Sequence, residues 1–203
     1  MNTTILYLIR HGQIENPKQL FYGRSVDLPL SDLGRSNIAK LGQALLKENP
    51  SISRLFTSPM RRTTETANIL SNILNNIPVI KDDRLLEIYS KGFEGRSLDS
   101  IVKLGDVYAH PPEGVIVESP TDVINRLSSL IFEILNQFKG GSIGIVSHGD
   151  PLAFVNWDLT QKGMPLPEYT KLTGEKYLEK GTCWKLTFED NKFLKEELIA
   201  PTS

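Results

Sequence analysis

Two short apolar runs, residues 5–9 and 143–146, each break off into a polar segment ending in His-Gly: Arg10-His11-Gly12 after the first and Ser147-His148-Gly149 after the second. Neither run alternates apolar with polar residues. A strand made from either must be covered on both faces, the condition of a central strand in a largely parallel sheet flanked by helices. The intervening chain supplies those helices. Ser31 is placed to cap a helix that carries Ile38, Leu41 and Leu45 at helical spacing and runs to about Glu48. Residues 52–56 read as a second strand, and Ser58-Pro59 as an N-cap with proline at the first helical position, before a helix whose apolar face holds Ala67, Leu70 and Leu74. Residues 79–80 are a weaker strand candidate, and 82–105 reads as irregular with one short helix after Ser97. Ser119-Pro120 repeats the cap-and-proline start before Val123, Leu127, Leu130, Ile131, Ile134 and Leu135, an amphipathic series stopped by Gly140-Gly141. A further helix begins near Asp150-Pro151, and the alternation over 183–188 with a turn at Asp190-Asn191 predicts a closing antiparallel pair. The expected architecture is an α/β three-layer sandwich, a mainly parallel sheet with helices on both faces. No repeat, low-complexity tract or linker divides the chain, so residues 1–203 are expected to form one domain.

Charge narrows the ligands. The 203 residues hold 23 Lys plus Arg against 24 Asp plus Glu, a formal net charge of −1 that offers nucleic acid no basic footprint. Any anion must be bound by a local cluster. The single cysteine, Cys183, can form no internal disulfide and by itself no zinc site, which fits a reducing compartment and makes the cytoplasm the expected location. Run 5–9 is too short for a membrane helix and lacks the basic region that precedes a signal sequence, and no other run approaches the roughly 18 apolar residues a span needs. Neither a membrane nor nucleic acid is an expected partner, and monomer and homodimer both stay open.

In open α/β sheets, ligands bind beyond the carboxyl ends of the strands, where both His-Gly segments fall, so His11 and His148 are expected at one edge. Arg62 joins them from the first turn of the helix after Ser58-Pro59, where free backbone N–H groups also attract anions. A guanidinium fits two phosphate oxygens, and a neutral imidazole can attack phosphorus. Each residue alone has a bland explanation, since a His-Gly after a strand is common turn chemistry and an arginine in a first turn is usually solvated. Together they point to phosphoryl transfer. His110, in the loop His110-Pro111-Pro112, has no matching partner and reads as a surface residue. Competing templates fail. There is no G-x-x-x-x-G-K-[ST] loop, no G-x-G-x-x-G after the first strand and no helical metal-ligand spacing among the histidines, and Ser147 lacks the preceding glycine of a nucleophile elbow. No metal and no cofactor is expected.

The run Leu8-Ile9-Arg10-His11-Gly12 resembles the R-H-G signature of the histidine phosphatase superfamily, which includes cofactor-dependent phosphoglycerate mutases and many small phosphatases. Further segments follow in family order. Gly23, Asp27, Leu30-Ser31 and Gly34 fit its G-x-x-x-D-x-x-L-[ST]-x-x-G segment, and residues 58–67 resemble S-P-L-x-R-A-x-Q-T-A with Arg62 at the phosphate-binding position. Leu86-Glu87 and Gly92-Phe93-Glu94-Gly95 resemble the L-x-E segment and the G-x-W-E-G turn, and Val146-Ser147-His148-Gly149 matches the second-histidine motif. Departures fall at Gln13, Ile14, Thr63, Glu65 and Val117. The resemblance implies that His11 attacks the phosphoryl group and is transiently phosphorylated, while Arg10, Arg62 and His148 hold its oxygens. It implies that Glu87 protonates the leaving oxygen and then activates water, with Asn16 and Gly149 at the substrate.

The activity so implied is hydrolysis of a phosphomonoester, either a small phosphorylated metabolite or a phosphoprotein. The alternatives are a cofactor-dependent phosphoglycerate mutase and a non-catalytic phospho-binding protein. Mutases of the family carry extra segments between the Arg62 helix and the second histidine, and the shorter chain here favours the phosphatase. Residues 163–181 match no family motif, and lid or substrate residues are expected there.

Overall fold

The computed structural model describes residues 2–49 and 51–201. Its strands are β1 (Thr3–Arg10), β2 (Ile52–Thr57), β3 (Val79–Lys81), β4 (Ser90–Lys91), β5 (Ile116–Val117), β6 (Ser142–Ser147), β7 (Cys183–Glu189) and β8 (Lys192–Ile199). Its α-helices are α1 (Asp32–Glu48), α2 (Arg61–Ile73), α3 (Leu98–Val102), α4 (Pro120–Gln137) and α5 (Gly149–Thr160). The main sheet has the order β3-β2-β6-β1-β7-β8. Its first four strands are parallel, and the antiparallel pair β7 and β8 closes one side, as the sequence predicts.

The apolar runs become central strands, buried on both faces. From β1, Leu6 and Leu8 enter a core shared with α4 and α5, including Leu127, Leu130 and Phe154. Tyr7 and Ile9 enter the opposite core with Leu41 and Leu45 of α1 and Ala67 and Leu70 of α2. Helices therefore cover both faces, giving the three-layer sandwich. The pairing of Arg10 with Ser147 in the β1–β6 ladder then delivers His11 and His148 to the same sheet edge. No helix among the described residues is long and apolar enough to cross a membrane.

Two local expectations are corrected. Ser58 does not cap α2: its N–H still donates to Val146 O at 3.0 Å, so the chain remains extended through Ser58 and turns only at Pro59-Met60. Met60 holds the cap position without a side-chain bond, and Asp27 Oδ1 accepts from Arg61 N at 2.7 Å instead. The carboxylate of a distant loop thus does the capping. Residues 82–105 hold the expected short helix, α3, capped by Ser97, and are otherwise more ordered than expected, with a 3₁₀ turn at Asp83–Leu85 capped by Asp82 and β4 paired with β5.

Candidate active site

At the carboxyl edge of β1 and β6, the rings of His11 and His148 lie 5.4 Å apart at an interplanar angle of 66°. Nδ1 of His11 lies 2.8 Å from Gly12 O, which can only accept, so Nδ1 carries the proton and Nε2 keeps its lone pair. Burial, and then the charges of Arg62 and Arg10, hold the His11 pKa well below the usual 6.5. The ring is therefore neutral and nucleophilic near pH 7. His148 has the other tautomer, because its Nδ1 accepts from Arg62 Nε at 3.2 Å and its Nε2 faces Ser58 Oγ at 2.9 Å. Burial and Arg62 push its pKa down as well. Ser58, expected as a helix cap, is a partner of the second histidine.

Arg62 is fully buried. Its Nη2 donates to Gly23 O at 3.0 Å, its guanidinium lies 4.8 Å over the Tyr22 ring, and its Nη1 has no hydrogen-bond partner. Arg10 donates from Nη1 to Leu178 O at 2.6 Å and lies 4.9 Å from the Tyr177 ring centre, leaving its buried Nε unpartnered. Buried cationic N–H groups are costly unless an acceptor meets them, so two of them beside a neutral imidazole define a place for an oxyanion. Gly149 permits this packing, since a Cβ there would lie 2.3 Å from Tyr177 Oη and 2.8 Å from Arg10 Cζ. Both ends of the Asn16 amide bond to the Leu20 peptide, its Nδ2 donating to Leu20 O at 2.8 Å and its Oδ1 accepting from Leu20 N at 3.2 Å. His110 is exposed, as its isolation in sequence suggested.

Glu87 lies beside Arg62 and His148, with Oε2 3.7 Å from Arg62 Nη2 and 3.6 Å from His148 Nδ1. Burial raises its pKa to about 7, helped by the charge of Asp150 and opposed by Arg62. A carboxyl poised at neutrality can both give and take a proton. Its main chain is clamped: Glu87 O accepts from Arg24 Nε at 2.6 Å and from Arg126 Nη2 at 3.3 Å. Both arginines are in turn bound by Glu118, at 2.9 Å to Arg24 Nη2 and 2.8 Å to Arg126 Nε. Sequence reasoning missed Arg24 and Arg126, which lie 63 and 39 residues from Glu87 and show no local signal.

It also missed Asp150, in the first turn of α5. Its carboxylate accepts from Tyr108 and Tyr177 at 2.5 Å each and from Tyr169 at 3.1 Å. These tyrosines line a cavity of about 630 Å³ that Arg10 and Glu87 also border. The unmatched segment 163–181 supplies Tyr169, Leu172, Tyr177 and Lys180 to its wall. Among the described residues no three His, Cys, Asp or Glu side chains are grouped as metal ligands.

A sheet edge carrying a neutral nucleophilic histidine, two arginines and a carboxyl poised near neutrality defines a class of phosphoryl-transfer site. The family model of the histidine phosphatase superfamily (branch 1) matches residues 6–198, and the chain belongs to that superfamily. It is 39% identical over 110 residues to a 2,3-bisphosphoglycerate-dependent phosphoglycerate mutase of Rhodococcus opacus, a match covering 52% of this chain and 43% of that protein. The chain thus spans less than half the length of that mutase. Phosphoserine phosphatase 1 of Hydrogenobacter thermophilus is 28% identical over 155 residues, which is 72% of each chain. The solved structure of Bacillus stearothermophilus YhfR superposes with a TM-score of 0.79 at 26% identity, covering 94% of both chains.

Proposed function

We propose that the protein is a phosphomonoesterase that hydrolyses a small phosphorylated substrate through a phosphohistidine on His11. The observation that carries this reading is the free Nε2 of a neutral His11 beside the unpartnered buried donors Arg62 Nη1 and Arg10 Nε. In the first step Nε2 attacks phosphorus, the P–O bond to the leaving group breaks, and protonated Glu87 gives its proton to the departing oxygen. Arg10 and Arg62 hold the phosphoryl oxygens, and His148, whose Nδ1 accepts from Arg62 Nε and whose N–H faces Ser58 Oγ, orients Arg62. In the second step ionised Glu87 takes a proton from water as the water attacks phosphorus, and the N–P bond breaks to release inorganic phosphate. The two roles of Glu87 are related by reversibility, and a pKa of about 7 suits both. The cationic side chains supply the charge that disperses over the transferring oxygens, and the folded framework supplies the alignment. The similarity to a phosphoserine phosphatase over 72% of both chains supports the hydrolytic reading. The whole chain acts in this reading as one catalytic domain in the cytoplasm.

Rapidly quenched enzyme tests the reading. The phosphoryl label is expected on His11, labile in acid and stable in base, and phosphate release is expected to exceed mutase product. An acid-stable adduct, or near-normal turnover by His11→Ala, would overturn it.

A further inference from the structure

Of the proposed catalytic set only Arg10 and Glu87 border the 630 Å³ cavity, a volume within the range that holds a drug-sized ligand. The remaining wall differs in character. Phe21, Phe93, Ile101, Val107, Val117 and Leu172 line it, and Phe93 and Val107 belong to a small apolar cluster separate from the cores beneath the sheet. The apolar surface continues to the rim, where Val102 of α3 lines the cavity while 75% exposed.

Charge is distributed just as unevenly. Arg10 and Lys180 are the two cationic residues lining the cavity. Arg10 belongs to the phosphoryl clamp, which leaves Lys180 as the one further cation on the wall. The other charged lining groups, Glu87, Asp150 and Glu179, are acidic. A substrate with a second anionic group would have Lys180 alone to meet it, against three acidic lining groups and the apolar wall.

We infer that the leaving group is a bulky apolar alcohol, alkyl or aryl, bearing no second anionic group. This rests on the phosphomonoesterase reading and names the substrate class of that same site. It separates the protein from a phosphoglycerate mutase, whose substrates carry a carboxylate beside the phosphate.

Straight-chain alkyl phosphates test it, because from ethyl to hexyl the leaving-group chemistry stays constant while apolar surface grows. Turnover is measured as kcat/KM alongside phosphoserine and 3-phosphoglycerate. Phosphorylation of His11 by acetyl phosphate, a donor too small to use the apolar wall, is followed separately. The expected result is a rise of about fourfold per methylene, with hexyl phosphate about a hundredfold or more above the two competitors that carry a carboxylate. L98S/I101S, which alters two wall residues, is expected to flatten the slope from ethyl to hexyl phosphate. A flat or falling series in the unaltered chain, or preference for phosphoserine or 3-phosphoglycerate, with His11 still phosphorylated by acetyl phosphate, overturns the apolar class alone. Failure of acetyl phosphate to label His11, with no turnover of any ester, overturns the phosphomonoesterase reading and the substrate class with it. If the double variant loses labelling of His11, the slope of the unaltered chain decides.

Discussion

Nε of Arg62 donates to Nδ1 of His148 across 3.2 Å, and this bond sets the tautomer of the second histidine and the orientation of the guanidinium together. With Nη2 held by Gly23 O, Nη1 is left as the free buried donor. Neighbouring side chains thus present an anion site without a flexible cation to be ordered on binding, which is preorganisation in the electrostatic sense.

Glu87→Gln tests the acid-base role. Proton donation matters most when the leaving oxygen is basic, so the variant should lose about 10²- to 10⁴-fold on an alkyl phosphate and much less on a nitrophenyl phosphate in the step that phosphorylates His11. In the unaltered enzyme that step should decline above a pH of about 7, as the carboxyl ionises. His11 and His148, both held neutral, should add no acidic limb between pH 6 and 7. The stability sign follows from the same raised pKa: the buried carboxyl contributes fully below its unfolded value of about 4.5, and that contribution is lost as pH rises through about 7. Thermal unfolding of Glu87→Gln relative to the unaltered chain should therefore be more favourable to the variant at pH 8 than at pH 5.

Asp150→Asn should move that alkaline limb toward acid. The Asp150 charge disfavours ionisation of Glu87, so removing it lets the proton leave at lower pH, while Arg62, Arg10 and His148 around Glu87 stay in place. A shift on the order of half a unit or more in the pH profile of single-turnover phosphorylation is expected. An unmoved limb with normal folding would show that Asp150 serves only to hold Tyr108, Tyr169 and Tyr177.

Glu118→Gln removes the charge that binds both Arg24 and Arg126. The two guanidiniums would then hold the Glu87 carbonyl less firmly, and misplacing a catalytic group costs rate even when the group remains. A loss of about tenfold on alkyl phosphates is expected, with little change for nitrophenyl phosphate, the same selectivity as for Glu87 in weaker form. Equal losses on both substrates would indicate a general structural effect.

Gly149→Ala should reduce kcat/KM about a hundredfold, because the new methyl must displace Tyr177 Oη or the Arg10 guanidinium. Circular dichroism should show the fold retained. Full activity would mean that the clamp can shift without consequence.

The sandwich was legible because its signal is local: apolar runs that cannot face water, caps such as Ser31 and Ser119, and helical spacing in the series Val123 to Leu135. The placement of His11 and His148 at one edge was legible too, since strands that both end in His-Gly need only pair in parallel register to bring them together. The Ser58 cap failed where a tertiary bond outweighed a local preference, the strand continuing to Val146 and Asp27 arriving from another loop. The tautomers of both histidines, the raised pKa of Glu87 and its clamp by Arg24, Arg126 and Glu118 were decided only in three dimensions. So was the Asp150 cage of tyrosines drawn from residues 108, 169 and 177. Residue types and spacing carry the covalent chemistry available to a chain, whereas burial, proton affinity and unpaired donors depend on which distant side chains the fold brings into contact.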